Sequence, residues 1–269
     1  MTDTMTEPDR ISSSQIDRHL ENVLSDTDEV GLPLVRETVN KPDDRWYGQL
    51  VANSYVSLTD TKDLEIVLPV AAGVELLRGY VRLRSRLLVT LADTHQHSLT
   101  QKPTPALLGG DYLYTAAFSS LHSVPETSSS DCFEILTTVL ESITEAFART
   151  YTSVGSAESN STVFFDETAG SLGEAAAVLG ATLAGVDEPN RQHFGRLGQG
   201  LSTARQINCV LETDPSDALV IPPTLHESHL RTHAQQRQDD ADQALDALSA
   251  TVDVTTLRAF AETGVSKQD

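Results

Sequence analysis

The chain has 269 residues and a net charge of -20, from 39 acidic against 19 basic residues. That length allows one large domain, or at most two, with a sizeable core. The charge repels nucleic acid and anionic membrane surfaces, so neither is an expected partner, and it suits a salt-accumulating cytoplasm in which repulsion is screened, an ordinary acidic soluble protein being the alternative.

Residues 1–20 are acidic and polar, have no signal-peptide core, and read as a disordered tail before a single α-helical domain over 21–269. From Leu64 to Leu91 apolar residues recur at three, four and seven, the spacing of one buried helix face, and Pro69 suits that helix's first turn. Arg78, Arg82 and Arg86 repeat at i, i+4 and i+8 in the same stretch, with Arg84 beside them. Pairing with neighbouring acids such as Glu75 is one reading of this stripe. A docking surface for an acidic partner, or an anion site, is the other.

The next helix stripe runs from 131 to 151 through Phe133, Leu136, Leu140, Ile143 and Phe147, with Ser130 or Asp131 as its expected cap. A third runs from 171 to 186 through Leu172, Ala175, Ala176, Leu179, Leu183 and Val186, and a last carries Ala241, Ala244, Leu245 and Leu248. Breaks fall at Pro103–Pro105, 123–131, 156–161, 187–190 and 214–224. "TVFF" (162–165) is too short to found a sheet. Crowded small residues, "AAAVLGATLAG" and "LLGGDYLYTAAF", predict close helix approach. The fold class expected is all-α, a many-helix antiparallel bundle. Two cysteines, Cys132 and Cys209, form no disulfide framework and fit a reducing compartment. No segment approaches about 20 unbroken apolar residues, so no membrane span is expected and the protein reads as cytoplasmic.

Four segments, in order, carry a resemblance. They are "DLEIVLPVAAGVELLRGYVRLRS" (63–85), "KPTPALLGGDYLYTAAFSSL" (102–121), "LGATLAGVDEPNRQHFGRLGQGLSTARQINCVLETDPSD" (179–217) and "ADQALDALSATVDVTTLRAFAET" (241–263). Together they resemble the trans-isoprenyl diphosphate synthase (polyprenyl synthetase) family over most of the chain beyond residue 40. The resemblance implies an isoprenoid-synthase-type bundle around a central apolar cavity, usually dimeric. It also implies two Asp-Asp-x-x-Asp motifs on facing helices that hold Mg²⁺ against an allylic diphosphate. Hard Mg²⁺ bound through carboxylate oxygens is suited to neutralise a departing diphosphate.

Those carboxylates are missing. Gln206 and Ile207 match the family's Gln-Ile, but the five residues that follow the second-motif register are Cys209, Val210, Leu211, Glu212 and Thr213. Glu212 is off register by one, about 100° around a helix. The first motif falls on Thr90 to Thr94, where Asp93 alone is acidic and is itself off register. The arginine pair before the Lys-Pro turn becomes Leu99 and Thr100, although Lys102 is kept. The early Gly-Lys-x-x-Arg-Pro motif becomes Asp43 to Gly48, keeping Arg45. The Lys-Thr pair of a middle helix becomes Glu167 and Thr168. By the resemblance, Arg45 and Lys102 are the substrate-binding positions left.

Other constellations are less specific. Asp93, His95 and His97 need a loop and further ligands, such as His122, to hold a metal. His226, His229 and His233 lie at i, i+3 and i+7 and are candidate zinc ligands; a solvent-facing polar stripe has the same spacing. Asp239 to Asp242 reads as a solvated acidic face. No phosphate loop or nucleophile elbow occurs. The function expected is a catalytically degenerate isoprenyl diphosphate synthase homologue without a cofactor. It would act as a homodimer or, beside an active synthase, as a non-catalytic subunit. One alternative is an active prenyltransferase with a rearranged Mg²⁺ site built from Asp93, Glu212, Asp214 and Asp217. Another is an isoprenoid carrier or sensor.

Overall fold

A computed structural model describes residues 11–25, 27, 32–41, 44–59, 64–92, 102–152, 160–212 and 217–265. Among the described residues there is no strand. The helices are α1 (Ser13–Val23), α2 (Pro33–Val39), α3 (Trp46–Val56), α4 (Leu64–Ala92), α5 (Pro103–Ser120), α6 (Glu126–Thr152) and α7 (Ser161–Phe165). After α7 a π turn (Asp166–Gly170) leads into α8 (Ser171–Leu183), α9 (Glu188–Glu212), α10 (Glu227–Leu248) and α11 (Thr255–Val265).

Several boundaries depart from expectation. Residues 13–20, expected in the tail, form most of α1, because Ile16 and Leu20 bury on the core. Pro69 lies inside α4 rather than in its first turn, since the helix already starts at Leu64. The α6 helix begins at Glu126, not at Ser130 or Asp131. The Pro125 carbonyl accepts the Ser128 and Ser129 amides, each at 3.0 Å, and so satisfies its first turn. "TVFF" belongs to α7, which Asn160 caps by accepting the Thr162 amide at 3.2 Å.

The core lies among α3, α4, α8 and α9, with α5 packed on α4 and α10 on α9. Small residues set this packing. A Cβ on Gly173 would overlap Ser202 and the Gly198 carbonyl, so α8 and α9 meet backbone to backbone. Gly180 likewise lies against the Val51 carbonyl of α3. The close approach predicted from "AAAVLGATLAG" is therefore what the helix does.

Candidate functional site

Five residues on α4 fall on one stripe: Glu75, Arg78, Arg82, Arg86 and Thr90, spaced at three and then four. The stripe faces inward. Glu75, Arg78, Arg82 and Arg86 are only 0, 4, 6 and 4% exposed. Taking a guanidinium from water is costly unless hydrogen bonds replace the solvent. Here backbone carbonyls and one carboxylate do so.

Glu75 accepts the Gly48 amide at 2.9 Å and Arg78 Nε at 2.6 Å. Arg78 also donates to the Lys41 carbonyl at 2.9 Å and the Val39 carbonyl at 2.8 Å. Arg82 donates to the Lys41 carbonyl at 2.5 Å. Arg86 donates to the Arg82 carbonyl at 3.2 Å and to the Ala218 carbonyl at 2.9 Å. Thr90 Oγ1 donates to the Arg86 carbonyl at 2.8 Å and closes the stripe.

The electrostatics follow from this crowding. Burial, reinforced by the neighbouring arginines, lowers Arg82 to about 10 and Arg86 to about 9. Asp217 and Cys209 pull both the other way, being within electrostatic reach of these guanidinium groups. Arg86 of α4 donates to the Ala218 carbonyl and Gln206 of α9 accepts the amide of the next residue, Leu219, so the ends of α4 and α9 share one neighbourhood. Thr90 lies one turn beyond Arg86 on α4, and Cys209 lies near the end of α9.

On the α9 side, Ser202 is hydrogen-bonded to the Tyr47 hydroxyl at 2.9 Å and donates to the Ala169 carbonyl at 2.6 Å. Burial raises the Tyr47 hydroxyl to about 12. One turn further, Gln206 Oε1 accepts the Leu219 amide at 2.8 Å. Cys209 is half-buried, and Val210 is buried in the core.

Magnesium does not fit the described part of this site. Thr90, Cys209 and Val210 offer no carboxylate, Asp217 brings a single exposed one whose charge is countered by Arg82 and Arg86, and those arginines bring positive charge into the same space. Among the described residues no three His, Cys, Asp or Glu side chains come together as a metal site. Glu212 is turned to Arg231 on α10, at 3.1 Å. Asp93, Thr94, Thr213 and Asp214 lie outside the described residues, as do Asp43, His95, His97, Leu99 and Thr100.

The remaining candidates are placed as follows. The Arg78, Arg82 and Arg86 stripe is no docking surface, because its side chains are buried; the expected Glu75 pairing is present at Arg78. Arg45 is a scaffold residue rather than a free substrate contact. It sits in the left-handed region at φ 48 and donates to Asp17 at 2.5 Å, to the Val39 carbonyl and to Asn40 at 3.3 Å. Lys102 is exposed at the start of α5.

His226, His229 and His233 do not converge on one point. The rings of His226 and His229 are stacked 6.1 Å apart, whereas His233 Nε2 lies 3.0 Å from Asp166. Glu167 pairs with Arg149, and Thr168 donates to the Phe164 carbonyl at 2.6 Å. Asp239, Asp240 and Asp242 engage Gln235, Arg237 and Gln238 of their own helix, as a solvated face does.

Sequence reading missed two groups. Asp166 in the π turn also accepts Arg237 Nε at 2.9 Å and Nη2 at 2.6 Å, fastening α10 to the bundle. Burial alone would raise its carboxyl, but hydrogen bonds from His233 and Arg237 outweigh this and hold it below the usual value. Ser85 and Tyr151 meet at Ile221, accepting its amide at 3.1 Å and donating to its carbonyl at 2.7 Å. Their separation in the chain left no local signal for either contact.

No family model and no curated protein matches the sequence. Solved structures do match the fold. The chain is similar to a geranyltransferase from Helicobacter pylori 26695 (TM-score 0.73, 17% identity, 97% of this chain and 99% of that one). It is similar to a geranylgeranyl pyrophosphate synthetase from the archaeon Geoglobus acetivorans (TM-score 0.72, 16% identity, 94% and 96%). It is also similar to a geranyl diphosphate synthase small subunit from Antirrhinum majus (TM-score 0.68, 15% identity, 93% and 94%). At these identities the likeness is one of architecture, spanning nearly the whole of each chain. No described helix is long and apolar enough to cross a membrane. The chain has the all-α fold of the isoprenyl diphosphate synthases.

Proposed function

We propose that the chain is a catalytically inactive homologue of the isoprenyl diphosphate synthases, a subunit that pairs with an active synthase and alters its stability or product length. The observation that carries this reading is the buried pair Arg82 and Arg86, on the α4 face that ends at Thr90 and within electrostatic reach of Cys209. A site that gathers Mg²⁺ and diphosphate needs converging carboxylates; these positions supply guanidinium, hydroxyl and thiol groups, with Asp217 adding one exposed carboxylate near them. Packing alone can keep the bundle when such chemistry is gone. The similarity to the geranyl diphosphate synthase small subunit of Antirrhinum majus is in keeping with a partner role.

The test uses the purified chain in high-salt buffer with Mg²⁺, isopentenyl diphosphate and an allylic diphosphate. The chain alone gives no product. Mixed with an active synthase from the same source, it co-elutes and shifts the product chain length. Turnover by the chain alone, abolished by Asp93→Ala, would establish the rearranged site instead. The absence of both binding and a product change would overturn the subunit reading.

A further inference from the structure

Residues 217–222 form no helix, yet their backbone is held from three helices at once. Arg86 of α4 donates to the Ala218 carbonyl at 2.9 Å, and Ser85 of α4 accepts the Ile221 amide at 3.1 Å. Gln206 of α9 accepts the Leu219 amide at 2.8 Å. Tyr151 of α6 donates to the Ile221 carbonyl at 2.7 Å. Connecting segments ordinarily run over the surface, where water satisfies their backbone. This one does not, for Ala218, Leu219, Val220 and Pro222 are buried. Because α4 and α9 make little direct contact with each other, the segment lies between them.

We propose that residues 217–222 are an internal occupant, a plug that fills the space between α4, α6 and α9 and keeps an apolar ligand out of it. The polar groups that hold it are side chains from rigid helices, which satisfy the Ala218 and Ile221 carbonyls and the Leu219 and Ile221 amides without water. Its apolar side chains supply the burial that a bound hydrocarbon would otherwise supply. Release therefore requires the loss of several hydrogen bonds together, and the closed form is the resting one. The proposal is independent of the subunit reading. An inactive chain with an open interior would overturn the plug and leave that reading standing.

The test compares the full chain with a Ser85→Ala, Tyr151→Phe double variant, using farnesol as the apolar probe. In the wild type, hydrogen exchange at the Leu219 and Ile221 amides is slow, and native mass spectrometry finds no retained farnesol. In the variant both amides exchange faster, proteolytic cleavage within 217–226 accelerates roughly tenfold, and farnesol is retained at one per chain. Wild-type amides exchanging at unprotected rates, or farnesol retained by the wild type, would overturn the plug. So would a folded variant, judged by circular dichroism, that retains none. If the double variant does not fold, Tyr151→Phe alone is read by the same measures.

Discussion

Arg86 Nη2 donates to the Ala218 carbonyl at 2.9 Å, joining the far turn of α4 to the segment beyond α9 across 132 positions of sequence. This contact places a buried cation beside the two stretches that the resemblance assigns to metal binding. It also fixes the backbone of the segment that runs between α4 and α9. Its neighbours make the following outcomes testable.

Restoring single carboxylates does not restore a magnesium site. The double variant Thr90→Asp, Cys209→Asp remains at background turnover with isopentenyl and allylic diphosphates, because Arg82 and Arg86 compete with the metal for the new carboxylates. Thr90→Asp alone places an acid one turn from Arg86 and raises the thermal midpoint. Mg²⁺-dependent product from the double variant would show that the guanidinium groups do not bar the metal.

Glu75→Gln strands a buried charge. Arg78 is 4% exposed and loses its carboxylate partner, so the variant is destabilised by about 3–5 kcal/mol in urea unfolding. A loss below about 1 kcal/mol, the size of an exposed pair, would show that the carbonyls of Val39 and Lys41 suffice by themselves.

Gly173→Ala forces α8 and α9 apart. Its methyl group would overlap Ser202 and the Gly198 carbonyl, and backbone cannot move aside as a flexible side chain does. The expected loss is about 1–3 kcal/mol, read as a lower thermal midpoint. Gly195→Ala on the same pair of helices is the control, since its nearest neighbour lies at 3.4 Å.

Acid unfastens α10. The Asp166 carboxyl is held below its ordinary value in the fold by His233 and Arg237, even against its own burial. Its stabilising contribution is complete above the ordinary carboxylate value and is lost as the pH falls through the lowered one. Asp166→Asn removes that contribution, about 1–3 kcal/mol at neutral pH, and flattens the acid limb of the stability profile below about pH 4. An acid limb identical in both proteins would show that other carboxylates govern it.

The helix faces were legible in the sequence because each repeats within a few residues. The stripes of α4, α6, α8 and α10 appear as apolar spacing, and the glycine approach of α8 and α9 appears as small-residue runs. The identities at Thr90, Cys209 and Val210, none of them a carboxylate, were legible without coordinates; that they occupy Asp-rich motif positions is what the resemblance implies. The boundaries were less so. A proline can stand just before a helix or sit inside one, and Pro125 and Pro69 do one each.

What the sequence by itself determined is the all-α bundle and the residue types at Thr90, Cys209 and Val210, because local periodicity and residue identity decide both. What only the tertiary structure decided is the use of Arg78, Arg82 and Arg86. Their spacing is the same on a wet face or a dry one, and burial depends on which helices close over them. The Ala218, Gln206 and Ile221 contacts, and the Asp166 pairs with His233 and Arg237, were invisible for that reason. They join residues that only the folded chain brings within hydrogen-bonding distance.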